Sequence, residues 1–113
     1  MKTEIINLTP HAINIVDDEK NIIKVIEPAE FPARVTVSTV RTEDIICGDA
    51  TIPTSKSVYG VVEGLPEKEE GVVYVVSSLV AQRVPERDDV FIPNESVRDK
   101  YGRIIGCKSL GRI

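Results

Sequence analysis

The stretch from Val72 to Pro93 constrains the fold more than any other. It runs Val-Val-Tyr-Val-Val, Ser77-Ser78, Leu79 to Val84, Pro85, the charged run Glu86-Arg87-Asp88-Asp89, then Val90-Phe91-Ile92-Pro93. Five β-favouring residues with no polar alternation describe a central strand covered on both faces. The serines offer an N-cap, Leu79 to Val84 can form a short helix that Pro85 must end, and Val90 to Ile92 reads as a second buried strand closed by Pro93. The pattern predicts a strand–helix–strand unit with its helix at about residues 78–84.

Around that unit the chain is rich in further strands. Residues 3–8 form a first strand, broken at Thr9-Pro10-His11, where a proline cannot donate to a ladder. Ala12 to Val16 and Ile22 to Ile26 flank a polar turn and predict a β-hairpin over residues 12–26. Ala33 to Val40 alternates, which directs Val35 and Val37 inward and Arg34, Thr36 and Ser38 outward. Residues 41–57 carry only a short apolar patch, Ile45-Ile46-Cys47, and are expected to form a long surface loop or a mobile lid. Val58 to Glu63 resumes strand character. Asp99-Lys100-Tyr101-Gly102 between apolar runs predicts a closing hairpin.

The expected fold is a single α+β domain over residues 1–113, compact and β-rich, made of antiparallel hairpins with one short helix. The dominance of Ile and Val, with aromatics at only 4%, favours sheet over helix. A net charge of −4 argues against a general grip on nucleic acid phosphates. That charge is uneven: from Arg83 onward seven Lys/Arg face five acids, so this part stands at +2 and the first 82 residues at −6. The longest apolar run falls far short of the roughly 20 residues a bilayer requires, and no signal peptide is visible. A cytoplasmic protein with reduced thiols is expected. Cys47 and Cys107 are too far apart in sequence to suggest a zinc site, and neither metal nor cofactor is expected.

Two clusters can carry chemistry. At Ser77-Ser78 a strand end meets a helix start, where free N–H groups and hydroxyls favour an anion; ligands of open α/β sheets collect at such strand ends, which would bring Asn94 and Glu95 near. Serines there are equally simple caps. In Glu86-Arg87-Asp88-Asp89, Asp88 and Asp89 could hold a divalent metal, though adjacent carboxylates on an extended backbone point to opposite sides; Arg87 with Arg83 could clamp a phosphate, or the charges could pair with one another. The candidate ligand-binding set is therefore Ser77, Ser78, Arg83, Arg87, Asn94 and Glu95. No catalytic residue is assigned. An alternative hydrolase or transferase would have to use Asp88, Asp89, Glu95 or the lone histidine, His11, and one histidine restricts general-base schemes severely.

Leu8-Thr9-Pro10-His11-Ala12-Ile13, the run from Val76 to Val90 with its Val-Pro-Glu-Arg-Asp-Asp-Val segment, Val97-Arg98-Asp99 and Gly102-Arg103-Ile104-Ile105-Gly106-Cys107 together resemble a family of small uncharacterised proteins of phages, prophages and bacteria. The resemblance covers both ends and leaves the middle unmatched. It carries over no functional residue. It implies a context in which small domains act by binding a host molecule. The resulting expectation is a phage-type protein that binds a small anionic, nucleotide-like ligand, such as a host signal it sequesters. A purely structural protein–protein interaction module is a further alternative. Self-association is expected, because so many apolar strands in a short chain leave surface or sheet edges to cover.

Overall fold

The computed structural model describes residues 3–113. Its elements are β1 (Glu4–Asn7), β2 (Ile13–Val16), β3 (Ile22–Ile26), β4 (Arg34–Arg41), β5 (Ile45–Cys47), β6 (Ala50–Ile52), β7 (Ser55–Glu63), β8 (Val72–Val75), α1 (Ser78–Arg83), β9 (Val90–Arg98) and β10 (Ile104–Gly111). The fold is β-rich with one short helix. No helix among the described residues is long and apolar enough to cross a membrane.

β8 explains why its sequence is unbroken by polar residues. Val72 and Tyr74, with Val76 just past the strand, join one apolar cluster together with Leu8, Val80, Ala81 and Val90; Val75 joins a second with Ile13, Ile26 and Cys107. Successive side chains point to opposite faces of a strand, so each parity of the run meets a core. β1 flanks β8 in parallel on one side and β9 does so on the other, with Ile5 opposite Val73 and Val75 opposite Phe91. Residues 76–89 supply the crossover that two parallel neighbours require, α1 included. The strand–helix–strand unit is present where the sequence places it.

The whole sheet has the order β1-β8-β9-β10-β2-β3. The predicted hairpins β2–β3 and β9–β10 are antiparallel, whereas β10 runs parallel to β2, so the sheet is mixed rather than built from hairpins alone. Its two edges approach one another. Asn7 and Pro28 form a bridge, and the Ala29 N–H donates to the Asn7 carbonyl at 2.8 Å. The sheet is thereby rolled into a partly closed barrel around Val75, Ile13, Ile26 and Cys107. β10 and β2 lie so close that a Cβ on Gly106 would sit 2.6 Å from the Asn14 carbonyl oxygen.

Three local expectations change. β9 does not stop at Pro93 but continues to Arg98. The last β8–β9 partners are Val75 and Phe91, so Pro93 has a strand neighbour on the β10 side only, and a missing N–H is tolerated on the side left open. Residues 41–57 are not a loop. They continue β4, form the β5–β6 hairpin over a Gly48-Asp49 turn with Gly48 at φ 60°, and lead into β7. Val37 is not inward: it is 51% exposed, and only Val35 and Val62 pack on the core.

The reason is that residues 34–63 leave the barrel as a two-stranded ribbon. β4 and β7 pair from Arg34↔Glu63 to Arg41↔Ser55. The Thr42 N–H then donates to the Thr54 carbonyl at 2.9 Å, which carries the ladder on toward β5–β6. The threonine hydroxyls meet at 2.6 Å, and Thr54 also donates to the Glu43 carbonyl. The ribbon stretches the molecule to 62 × 39 × 24 Å and its radius of gyration to 18.2 Å, against about 13 Å for a chain of this length packed into one ball.

Candidate functional site

β8 ends at Val75 and the chain turns away at Ser77 into α1, while β9 runs on past it. The interruption leaves a hollow of about 310 Å³ at one mouth of the barrel. Its wall comes from four segments: Thr9 to Asn14, Val76-Ser77, Pro93 with Ser96, and Ile104 to Cys107. Ile13, Val76, Pro93, Ile104 and Ile105 make it largely apolar, and Thr9, His11, Asn14, Ser77 and Ser96 place polar groups around it. No Lys, Arg, Asp or Glu lines it. Small-ligand sites have this make-up, apolar walls with a few convergent polar groups, and occur at barrel mouths.

The Thr9–Ala12 side of the hollow is held by Asn7. This side chain is 1% exposed and satisfies all its bonding capacity. Its Nδ2 donates to the carbonyls of His11 at 2.7 Å and Ile26 at 3.0 Å. Its Oδ1 accepts from the Thr9 N–H at 2.9 Å and the Thr9 hydroxyl at 2.6 Å, and that hydroxyl also reaches the His11 carbonyl at 2.9 Å. A proline in the loop removes one donor, and a buried amide supplies the bonds the broken strand no longer makes. Across the hollow the Asn14 Nδ2 donates to the Ile105 carbonyl at 3.2 Å.

Of the six residues singled out in the sequence, Ser77 lines this hollow. It is the N-cap of α1, with φ −68° and ψ 157°, and its oxygen accepts from the Val80 N–H at 3.4 Å. Ser78 begins α1 and is exposed. The other four lie off the lining. Arg83 stacks over Tyr59 at 5.5 Å and donates to the Tyr59 carbonyl at 3.3 Å, pinning β7 to the end of α1. Arg87 forms a fork with Asp89, Nε to Oδ1 and Nη2 to Oδ2 both at 2.8 Å, and donates from Nη2 to the Pro66 carbonyl at 3.0 Å. Asn94 packs against Gly111, and Glu95, at φ 55°, accepts from the Ser109 hydroxyl at 2.6 Å.

The acids named for the alternative enzyme are likewise engaged. Lys68 pairs with Asp88 at 2.6 Å on the surface, and Asp89 is buried against Arg87. The Arg87 fork holds the Asp89 carboxyl below its ordinary range although burial opposes this. Burial pushes the Cys107 thiol up, which keeps it protonated and a poor nucleophile at neutral pH. Cys47 and Cys107 are both free, the first exposed on the ribbon and the second buried in β10.

Sequence reasoning passed over Thr9, Asn14, Ser96 and Cys107 as parts of one site. His11 reads from the sequence as a turn residue after Pro10 or as a catalyst of the alternative enzyme. The usable signal was Thr9-Pro10-His11 itself, a strand break that must leave a gap beside its neighbours. A scan against protein-family models, a search of the curated proteins and a search of the solved structures each return no match.

Proposed function

We propose that this protein works by binding a small molecule in the hollow between Ser77, His11 and Cys107, and that the ligand is nucleoside-like, with any phosphate directed toward solvent. The observation that carries the reading is the joint make-up of the wall. The side chains of Ile13, Val76, Pro93, Ile104 and Ile105 suit the faces of a heterocycle, and the hydroxyls of Ser77 and Ser96 with the amide oxygen of Asn14 suit its hydrogen-bonding edge. The absence of a charged lining residue supports a ligand that keeps any anionic group in solvent. Binding rather than turnover fits the resemblance of both chain ends to small phage proteins, and sequestration of a host nucleotide signal is the sharper form of the same reading.

The test is a thermal-shift screen with nucleosides, nucleotides and cyclic dinucleotides, followed by calorimetry. A true ligand at a hundred times its Kd is expected to stabilise the fold by about 2.7 kcal/mol. Ser96→Trp, which fills the hollow from an exposed position, is expected to melt like the parent without ligand and to lose the shift. Flat melting temperatures across the panel, or a full shift retained in Ser96→Trp, would remove the proposal.

A further inference from the structure

The ribbon of residues 34–63 is a poor match to water. Val40, Ile45, Ile46, Ile52, Val58 and Val61 are all exposed, Ile46 and Val61 by 71% each. Register sets Val37 and Tyr59 on one face of the ribbon, and Ser38 with Val58 and Val40 with Lys56 on the other, so both faces carry apolar side chains. Beyond Val35, Val62 and the Arg83 side chain over Tyr59, the ribbon has no third strand and no covering layer among the described residues. Two strands alone are marginal in water, and long apolar strands with open edges invite a partner.

We propose that the ribbon is the dimerisation element of the protein and that its partner is the same ribbon on a second copy of this chain, laid antiparallel across it. Two observations select a second copy. The first is area. Val37, Val40, Ile45, Ile46, Ile52, Val58, Tyr59 and Val61 leave apolar surface exposed along the whole length of the ribbon, an extended patch of the kind a standard interface of about 800 Å² per partner needs. The second is charge. The ribbon carries Arg34, Arg41 and Lys56 against Glu43, Asp44, Asp49 and Glu63, a net −1 of the chain's −4, so two ribbons meet with little repulsion. Arg34 is paired with Glu63 at the root, but Arg41 and Glu43 have no ion pair among the described residues. The order Arg41-Thr42-Glu43 is its own complement when reversed. Antiparallel crossing at Thr42 sets each Arg41 opposite Glu43 of the other copy, twice per dimer, as an isologous contact requires.

Sedimentation equilibrium over a concentration series tests this. The parent is expected to reach twice the 12.5 kDa chain mass. Ile46→Lys and Val58→Glu, both at exposed positions, are each expected to raise the dimer dissociation constant at least tenfold, with circular dichroism unchanged. Ile23→Lys, on the exposed edge strand β3, is expected to leave the dimer intact. Charge reversal offers a second reading: Arg41→Glu and Glu43→Arg should each weaken the dimer, and the double variant should restore it. A parent that stays monomeric, ribbon variants that still dimerise with the parent's affinity, or a dimer that Ile23→Lys alone abolishes would overturn the proposal.

Discussion

Replacing Arg87 with alanine is expected to destabilise the fold by about 3–5 kcal/mol, because it strands a buried carboxylate, and for a domain of this size that lowers Tm by roughly 10–25 °C. The Asp89 side chain is 5% exposed and that of Arg87 20%, so solvent does little to replace the lost fork. Removing both partners as Arg87→Met with Asp89→Leu is expected to recover most of the loss, since a buried ion pair is worth little more than an apolar pair of similar size. Urea denaturation of the two single variants and the double closes the cycle.

The pH profile separates this account from a simple packing defect. In the parent the folded Asp89 pKa lies below its ordinary 3.8, with the Arg87 bonds as the first cause. The stability it contributes is therefore fully present above the unfolded value and is lost as pH falls through the lower folded one. In Arg87→Ala the sign reverses. Burial without a cation raises the folded pKa of Asp89, so the variant is expected to lose stability as pH rises through the carboxylate range toward neutral. A deficit that stays constant between roughly pH 3 and pH 7 would show that the carboxylate is not its cause.

Asn7→Leu is expected to cost about 3–4 kcal/mol and to erase ligand binding at the hollow. The substitution leaves the Ile26 carbonyl and the Thr9 N–H without their side-chain partners, at about 1–3 kcal/mol for each buried group left unpaired. It also frees Thr9 and His11 from the amide that positions them. Hydrogen exchange should quicken at residues 8–13 and less so across α1. Asn7→Asp keeps the size and the Thr9 bonds but points acceptor at acceptor toward His11 and Ile26, so it should behave like Asn7→Leu at neutral pH. If either variant kept parental stability and a full ligand shift, Asn7 would not be the support of this wall.

How much of this was legible in the sequence follows from where the determinants lie. The interior position of β8 was readable because five consecutive β-branched or aromatic residues leave no face for water. Pro85 and the Asp99–Gly102 turn marked boundaries by backbone chemistry alone. The partners of β1 and β2 were not readable: β1 pairs with β8 and β2 with β10, and no local pattern encodes register across such separations. The ribbon was missed over residues 41–57 because a hairpin exposed on both faces shows no burial alternation. The residues the sequence singles out and those lining the hollow differ for another reason. Arg83, Arg87 and Glu95 stand out as polar groups beside the βαβ unit, yet they spend their bonds on holding the fold, and Asn94 packs against Gly111. The hollow is built instead from uncharged side chains and a gap in a ladder, neither of which leaves a compositional trace.

The pairing of early strands with late ones also sets the order in which the molecule can assemble. The β2–β3 hairpin must wait for β10, and β1 for β8, so the barrel closes only after loop-closure entropy has been lost. The ribbon hairpin, by contrast, needs only its own neighbours and can zip within microseconds, on the order of 1–10 μs for a hairpin. Stopped-flow refolding should accordingly show the hairpin event as amplitude already lost within the mixing time, followed by a resolved barrel-closing step in milliseconds to seconds. During that interval nascent chains would already display the sticky ribbon while the barrel is still open.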